Sequence, residues 1–237
     1  MKKVLIALAL LASVSLLAGQ KTTQSLVDYV YPLMGSDSGP GQNLSHGNTY
    51  PAIAAPRGMT DWSPMTSKIN DSWFYRYDEH ENSITGIKAT HSPSPWISDY
   101  GDFSIMPLTS PPENYWSGAY SATFSHANEF AHPYLYDLTL DNGINIKVTP
   151  TVRCAVVEIT FPENTTDKYV VIDANGRGDL ELLNCNTVTG IATSNHGGVS
   201  GDFGLRFVIK SNSKFTMDNP YNDVALLHFT GTENSVT

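Results

Sequence analysis

The sequence predicts an all-β fold, a large two-sheet antiparallel β-sandwich with long loops, on three observations. Charged residues make up only 16% of the 237 residues, while 18 glycines and 14 prolines interrupt the chain. That low-charge, turn-rich mixture suits strands better than helices. Apolar residues recur with period two in short runs, the spacing that turns one face of a strand toward a core. Beyond the first 19 residues, no segment sustains the 3.6-residue period of a helix for more than two turns. A hydrophobic content of 41% supplies enough core for one large β domain or two small ones.

Residues 1–19 read as an export signal. Lys2 and Lys3 give a basic start, and residues 4–17 form a largely apolar run, shorter than the roughly 20 residues that span a bilayer. Ser15-Leu16-Leu17-Ala18-Gly19 resembles a lipoprotein signal, but Gln20 stands where a lipidated cysteine would be. A periplasmic or secreted product of residues 20–237, without stable membrane insertion, is expected. Loss of Lys2 and Lys3 leaves 12 basic against 23 acidic residues, a net charge of −11. Such a surface disfavours nucleic acid and anionic membranes and is compatible with neutral glycans. The two cysteines, Cys154 and Cys185, suit a disulfide or two buried thiols, and not a Cys-x-x-Cys zinc or redox site.

Residues 35–118 read as long loops rich in Ser, Asn, Gly and Pro, with brief strands such as Phe103–Leu108. Loops of this length are usually functional or ordered by a neighbouring surface. Residues 134–149 carry the clearest local signal. Tyr136, Leu138 and Leu140 alternate on one arm and Ile144, Ile146 and Val148 on the other, around an Asn142-Gly143 pair suited to a type I′ turn. Residues 152–161 form a β-branched strand stopped by Pro162, and further strands are expected over 168–174, 187–193, 203–210 and 224–229. Turns at Pro162-Glu163-Asn164, Asn175-Gly176-Arg177-Gly178, Asn195-His196-Gly197-Gly198 and Asp218-Asn219-Pro220 separate them.

Chemistry concentrates in Thr90-His91-Ser92-Pro93-Ser94-Pro95-Trp96-Ile97-Ser98-Asp99-Tyr100-Gly101-Asp102. Two prolines stiffen this loop. Aromatic faces take the apolar side of a pyranose, and carboxylates take its hydroxyls, so the segment suits sugar recognition as well as it suits a lid on a core. Trp96 is the leading candidate for ligand contact, with Ser94 beside it. His91 suits either a sugar hydroxyl or a bond that ties the loop to backbone. Asp99 and Asp102 suit sugar hydroxyls or the capping of free turn amides. Asn48 suits loop fixation or the ligand cavity. Trp62, Trp73, Tyr75 and Tyr77 read as core and interface. A glycosidase places two carboxyl groups across the scissile bond, and Asp99 and Asp102 share one short loop, so a complete catalytic pair is not expected here. Gly-x-Ser-x-Gly and His-Glu-x-x-His are absent, and no dense Asp/Asn loop suggests a dedicated calcium cage.

Several motifs stand in an order that resembles the start of bacterial glycoside hydrolase family 92. They are Gly47-Asn48-Thr49-Tyr50-Pro51, Pro56-Arg57-Gly58-Met59, Thr90-His91, Asp99-Tyr100-Gly101-Asp102, and Phe124-Ser125-His126-Ala127-Asn128-Glu129 followed by Pro133 and Tyr134. Arg57 departs from the pattern, which has an apolar residue there. The resemblance covers about residues 27–215 and implies a galactose-mutarotase-like supersandwich from a calcium-dependent exo-α-mannosidase. Pro93-Ser94-Pro95-Trp96 resembles the α-1,2-cleaving branch, in which this tryptophan borders the leaving-sugar subsite. The resemblance also implies that the acid, the base and most of the Ca2+ site belong to a following helical (α/α)6 domain. That domain is missing from this sequence, so the chain reads as truncated and inactive alone.

Three functional classes follow. The first is the N-terminal, substrate-shaping domain of an exported α-mannosidase, with a mannose-containing glycan and the C-terminal helical domain as its partners. The second is a free-standing, non-catalytic carbohydrate-binding sandwich, and the third a structural surface domain. Mannobiose binding by the isolated chain separates the second from the first.

Overall fold

The computed structural model describes residues 25–36, 49, 51–54, 58–66, 77–90, 102–116, 119–193, 200 and 203–237. The chain divides into two units, Met1–Val30 and Tyr31–Thr237. In the first, the described residues form one short 3-10 turn, Leu26–Tyr29, at whose start the Ser25 amide donates to Asp28 Oδ2 at 3.1 Å. The export-signal segment and the Asn195-His196-Gly197-Gly198 turn lie outside the described residues.

The second unit is built of strands: β1 Asp61–Thr66, β2 Ser83–Thr90, β3 Phe103–Leu108, β4 Ala122–His132, β5 Leu135–Leu140, β6 Asn145–Pro150, β7 Ala155–Thr160, β8 Lys168–Asp173, β9 Gly178–Asn184, β10 Thr187–Ala192, β11 Leu205–Lys210, β12 Thr216–Tyr221, β13 Val224–Phe229 and β14 Ser235–Val236. An 11-stranded sheet runs β12-β13-β8-β3-β2-β4-β5-β6-β7-β14, with β1 also paired to β2, and a three-stranded sheet runs β11-β10-β9. The pairings are antiparallel and the large sheet is curled, so the expected β-sandwich class holds. The joint between β2 and β4 is narrow, formed by Ser83 opposite Thr123 and Ile84 opposite Ala122. Residues from both sides of that joint share one core, among them Ile87, Ile105 and Ile172 with Leu138, Ile146 and Val148.

The two sheets meet through aromatic rings. Phe103 of β3 stacks on Phe207 of β11 with centroids 3.9 Å apart, and Trp62 of β1 meets Phe103 edge-on at 6.0 Å. Gly190 of β10 makes that contact possible. A Cβ there would overlap the Phe207 ring and stand 2.8 Å from Leu180 Cδ2. Gly190→Ala is therefore expected to cost about 1–3 kcal/mol, the usual range for overpacking a filled core. Urea unfolding tests this, and a midpoint equal to that of the parent chain would overturn it.

The structure corrects four sequence expectations. The 134–149 hairpin forms, but only Gly143 has positive φ, 85°. The Gly143 amide donates to Leu140 O and the Leu140 amide to Ile144 O, so the connection is not type I′, which needs positive φ at both central residues. Residues 35–118 hold more than loops. β2 is eight residues long and buried along nearly its whole length, because it pairs with β1, β3 and β4 and has both faces covered. Asp218-Asn219-Pro220 is not a turn but part of β12, an edge strand with a register shift between Asp218 and Tyr221, the place where a strand tolerates proline. Cys154 and Cys185 are both exposed free thiols, neither bonded nor buried.

Candidate functional site

Residues 91–101 join two hydrogen-bonded neighbours, since Lys88 lies opposite Ser104 and Ala89 opposite Phe103. On the far side of β3, Ser104 lies opposite Asp173 of β8, which in turn lies opposite Val224 of β13. Strand ends from Thr90, Phe103, Asp173 and Val224 thus share one end of the sheet, which is where the proline-rich loop is rooted.

Beneath this end lies a buried polar network. Lys88 Nζ stands 2.6 Å from Asp102 Oδ2, with the two side chains 6% and 7% exposed. Asn175 Nδ2 donates to the same Asp102 oxygen at 3.1 Å, and the Asn175 amide donates to Asp173 Oδ1 at 2.7 Å. The Tyr120 hydroxyl donates a hydrogen bond to Asp173 Oδ2. Asn175 takes positive φ, 52°, which asparagine tolerates, and Gly176 follows at 90°. Charges are tolerated in an interior when paired and hydrogen-bonded, and here the partners come from four separate stretches of chain. The network fixes the roots of the 91–101 loop relative to β8.

A second polar centre uses the Phe124–Glu129 motif. Between Phe124, opposite Leu140, and Glu129, opposite Leu138, β4 carries extra residues and bulges. The bulge lets His126 and Glu129 meet, with Nδ1 2.7 Å from Oε2. Glu129, whose side chain is 1% exposed, also accepts the Tyr77 hydroxyl at 2.8 Å and the Tyr136 hydroxyl at 2.7 Å. His126 Nε2 reaches Glu81 O at 3.0 Å, tying β4 to the segment before β2.

Burial first, and the Glu129 charge second, push the Tyr77 and Tyr136 hydroxyls well above their ordinary value. A raised folded value means that these groups contribute stability below the unfolded tyrosine value near ~10, and that it declines as pH rises beyond it. In an alkaline titration, tyrosinate absorbance is expected to stop short of all 12 tyrosines until circular dichroism reports unfolding. Complete ionisation of a folded chain would contradict this.

Of the sequence candidates, Asp102 is placed in the buried network, an interior residue 5% exposed. Asn48, His91, Ser94, Trp96 and Asp99 lie outside the described residues, as do Trp73 and Tyr75. Trp62 and Tyr77 are buried, as expected. Sequence reasoning did not single out Lys88, Tyr120, Asp173 or Asn175. The one available signal was a lysine between Ile87 and Ala89 in an uncharged stretch. Glu129 and His126 were noticed only as parts of a motif.

The profile of the glycosyl hydrolase family 92 N-terminal domain matches residues 29–235. Among solved structures, an inverting family 92 mannosidase of Bacteroides thetaiotaomicron is 37% identical with a TM-score of 0.78, over 92% of this chain and 31% of that one. A family 92 α-mannosidase of the same organism, also solved with mannoimidazole, is 25% identical with a TM-score of 0.70, over 90% of this chain and 32% of that one. A third family 92 glycosyl hydrolase, 19% identical with a TM-score of 0.68, shares the fold. No curated protein sequence matches. The chain spans about a third of the length of these solved structures.

Proposed function

The chain belongs to glycosyl hydrolase family 92, and we propose that it is the N-terminal, substrate-shaping domain of an exported, inverting α-mannosidase acting on terminal α-1,2-linked mannose. The observation that carries this reading is the 37% identity to an inverting mannosidase across 92% of the chain. In this reading Trp96 presents an apolar wall to the leaving sugar, with His91, Ser94, Asp99 and Asn48 as neighbouring hydrogen-bonding groups. Asp102 anchors the strand end that follows this segment, through Lys88 and Asn175.

Calcium dependence is part of the proposal for the whole enzyme. Among the described residues, no group of His, Cys, Asp and Glu is placed to hold a metal ion, and Asp102, Asp173 and Glu129 already face Lys88, Tyr120, Tyr77 and Tyr136. The described residues therefore do not fit a calcium cage. The metal ligands and the proton-transfer pair are assigned to the part of the relatives' length that this chain does not span, and the isolated chain is expected not to release mannose.

Trp96→Ala, made in an enzyme that includes this domain, tests the reading. The expected result is a fall in kcat/KM on α-1,2-mannobiose of about tenfold or more, equivalent to about 1.4 kcal/mol of lost transition-state stabilisation. A smaller change is expected on other linkages. Unchanged turnover together with unchanged linkage preference would overturn the role of the loop. Saturable mannobiose binding by the 237-residue chain alone would favour a carbohydrate-binding protein instead.

A further inference from the structure

We propose that the polar pocket between the 162–166 turn and the 230–234 turn binds a small sugar acid of the uronic-acid class, its carboxylate paired with the buried ammonium of Lys168. The pocket lies at the other end of β8 from the 91–101 loop. Lys168 is opposite Phe229, whereas Asp173, at the loop end, is opposite Ser104 and Val224. It is thus separate from the proposed mannose contact.

Lys168 lines this pocket and is only 1% exposed. Its Nζ donates to Gly231 O at 2.9 Å. An ammonium carries three donors, and burying a charge is costly unless it is both paired and hydrogen-bonded. Among the described residues no carboxylate pairs with Lys168. The adjacent Asp167 is turned elsewhere, to His228 Nε2 at 2.9 Å and the Thr166 hydroxyl at 3.0 Å. Lys88, also interior, has Asp102 at 2.6 Å. One buried cation of this fold therefore has its counter-charge built in, and the other has a pocket in that place. An oxyanion entering the pocket would supply the missing charge and take the remaining donors.

The pocket measures about 530 Å³, within the range of small-molecule sites and far more than a bare oxyanion fills. One wall is a built turn: the Thr165 amide and hydroxyl both donate to Pro162 O, at 3.2 and 2.8 Å, and Asn164 takes positive φ, 67°. Thr230, Thr232 and Asn234 belong to the other wall. Among the described residues, none of the Asn164, Thr230, Thr232 or Asn234 side chains is engaged in a hydrogen bond. A hydroxylated ring matches such a lining, where an acyl chain would strip water from it without return. Glu163, exposed, lines the pocket as well. Its charge favours a monoanion over a dianion, and so a carboxylate over inorganic phosphate.

The test titrates the 15N-labelled 237-residue chain with D-glucuronate, glucose and inorganic phosphate and follows the backbone amides by NMR. Glucuronate is expected to half-saturate at about 1 mM, the affinity of a site with one charge and a few hydroxyl partners. It should move the amides of residues 163–166 and 230–234 and leave those of 102–104 and 173–176 in place. Glucose and phosphate are each expected to need at least tenfold more ligand, and Lys168→Met to weaken glucuronate at least tenfold. The proposal is overturned by glucose or phosphate matching glucuronate, by shifts centred elsewhere on the chain, by a folded Lys168→Met chain that binds as its parent does, or by no saturable shift. The ligand series needs only the parent chain, so it decides the matter even where Lys168→Met fails to fold.

Discussion

Replacing Lys88 with methionine is expected to remove about 3–5 kcal/mol of folding stability, the range found when one partner of a buried ion pair is deleted. A typical domain has only about 5–15 kcal/mol in total, so the variant stands near the threshold of folding. The cause is the Asp102 carboxylate, 7% exposed, which loses an ammonium 2.6 Å away and keeps the weaker Asn175 amide at 3.1 Å. Replacing both partners, Lys88→Met with Asp102→Leu, is expected to recover part of the loss, because neither charge of the pair is then left buried without the other. Urea unfolding of the two single variants and the double variant measures the coupling. Additive effects would mean that the pair does not act as one unit. The damage should also reach the loop, because Lys88 and Asp102 sit at the two strand ends from which residues 91–101 depart.

Glu129→Leu is the second large expectation, a loss of about 3–5 kcal/mol. Its carboxylate accepts from two tyrosine hydroxyls and meets one histidine ring, and hydrogen bonds to a charged group contribute about 1.5–3 kcal/mol each. Simple addition overshoots, because the three share one acceptor and shift together. Tyr77→Phe and Tyr136→Phe are each expected to cost about 1–3 kcal/mol, with a combined effect below their sum. A Glu129→Leu chain as stable as its parent would leave the cluster without energetic importance.

The two centres also mark how far a sequence can be read. The arms of the 134–149 hairpin are legible because each strand has one buried face, and the alternation of Tyr136, Leu138 and Leu140 records it directly. β2 was not, because a strand covered on both faces need not alternate, and Thr85, Lys88 and Thr90 look like loop residues until their neighbours are known. Asp218-Asn219-Pro220 has turn chemistry, yet an edge position let the ladder absorb it. For the site, the prolines and the tryptophan of residues 91–101 mark the segment on which the proposed sugar contact rests. The polar network at the strand ends that flank it was invisible, since Lys88, Tyr120, Asp173 and Asn175 are far apart along the chain and converge only through the register of β2, β3 and β8.

Taken alone, the amino-acid order determined the all-β class, most of the strands after residue 133, and kinship with family 92. These are local or motif-borne properties, written in periodicity and in short runs of residues. Tertiary structure alone decided which carboxylate meets which lysine, which glutamate gathers two tyrosines, and which buried lysine faces a pocket in place of a carboxylate. A charge or a methyl group reveals only that it needs a partner. Strand pairing, a long-range choice made by the whole core at once, supplies that partner or withholds it.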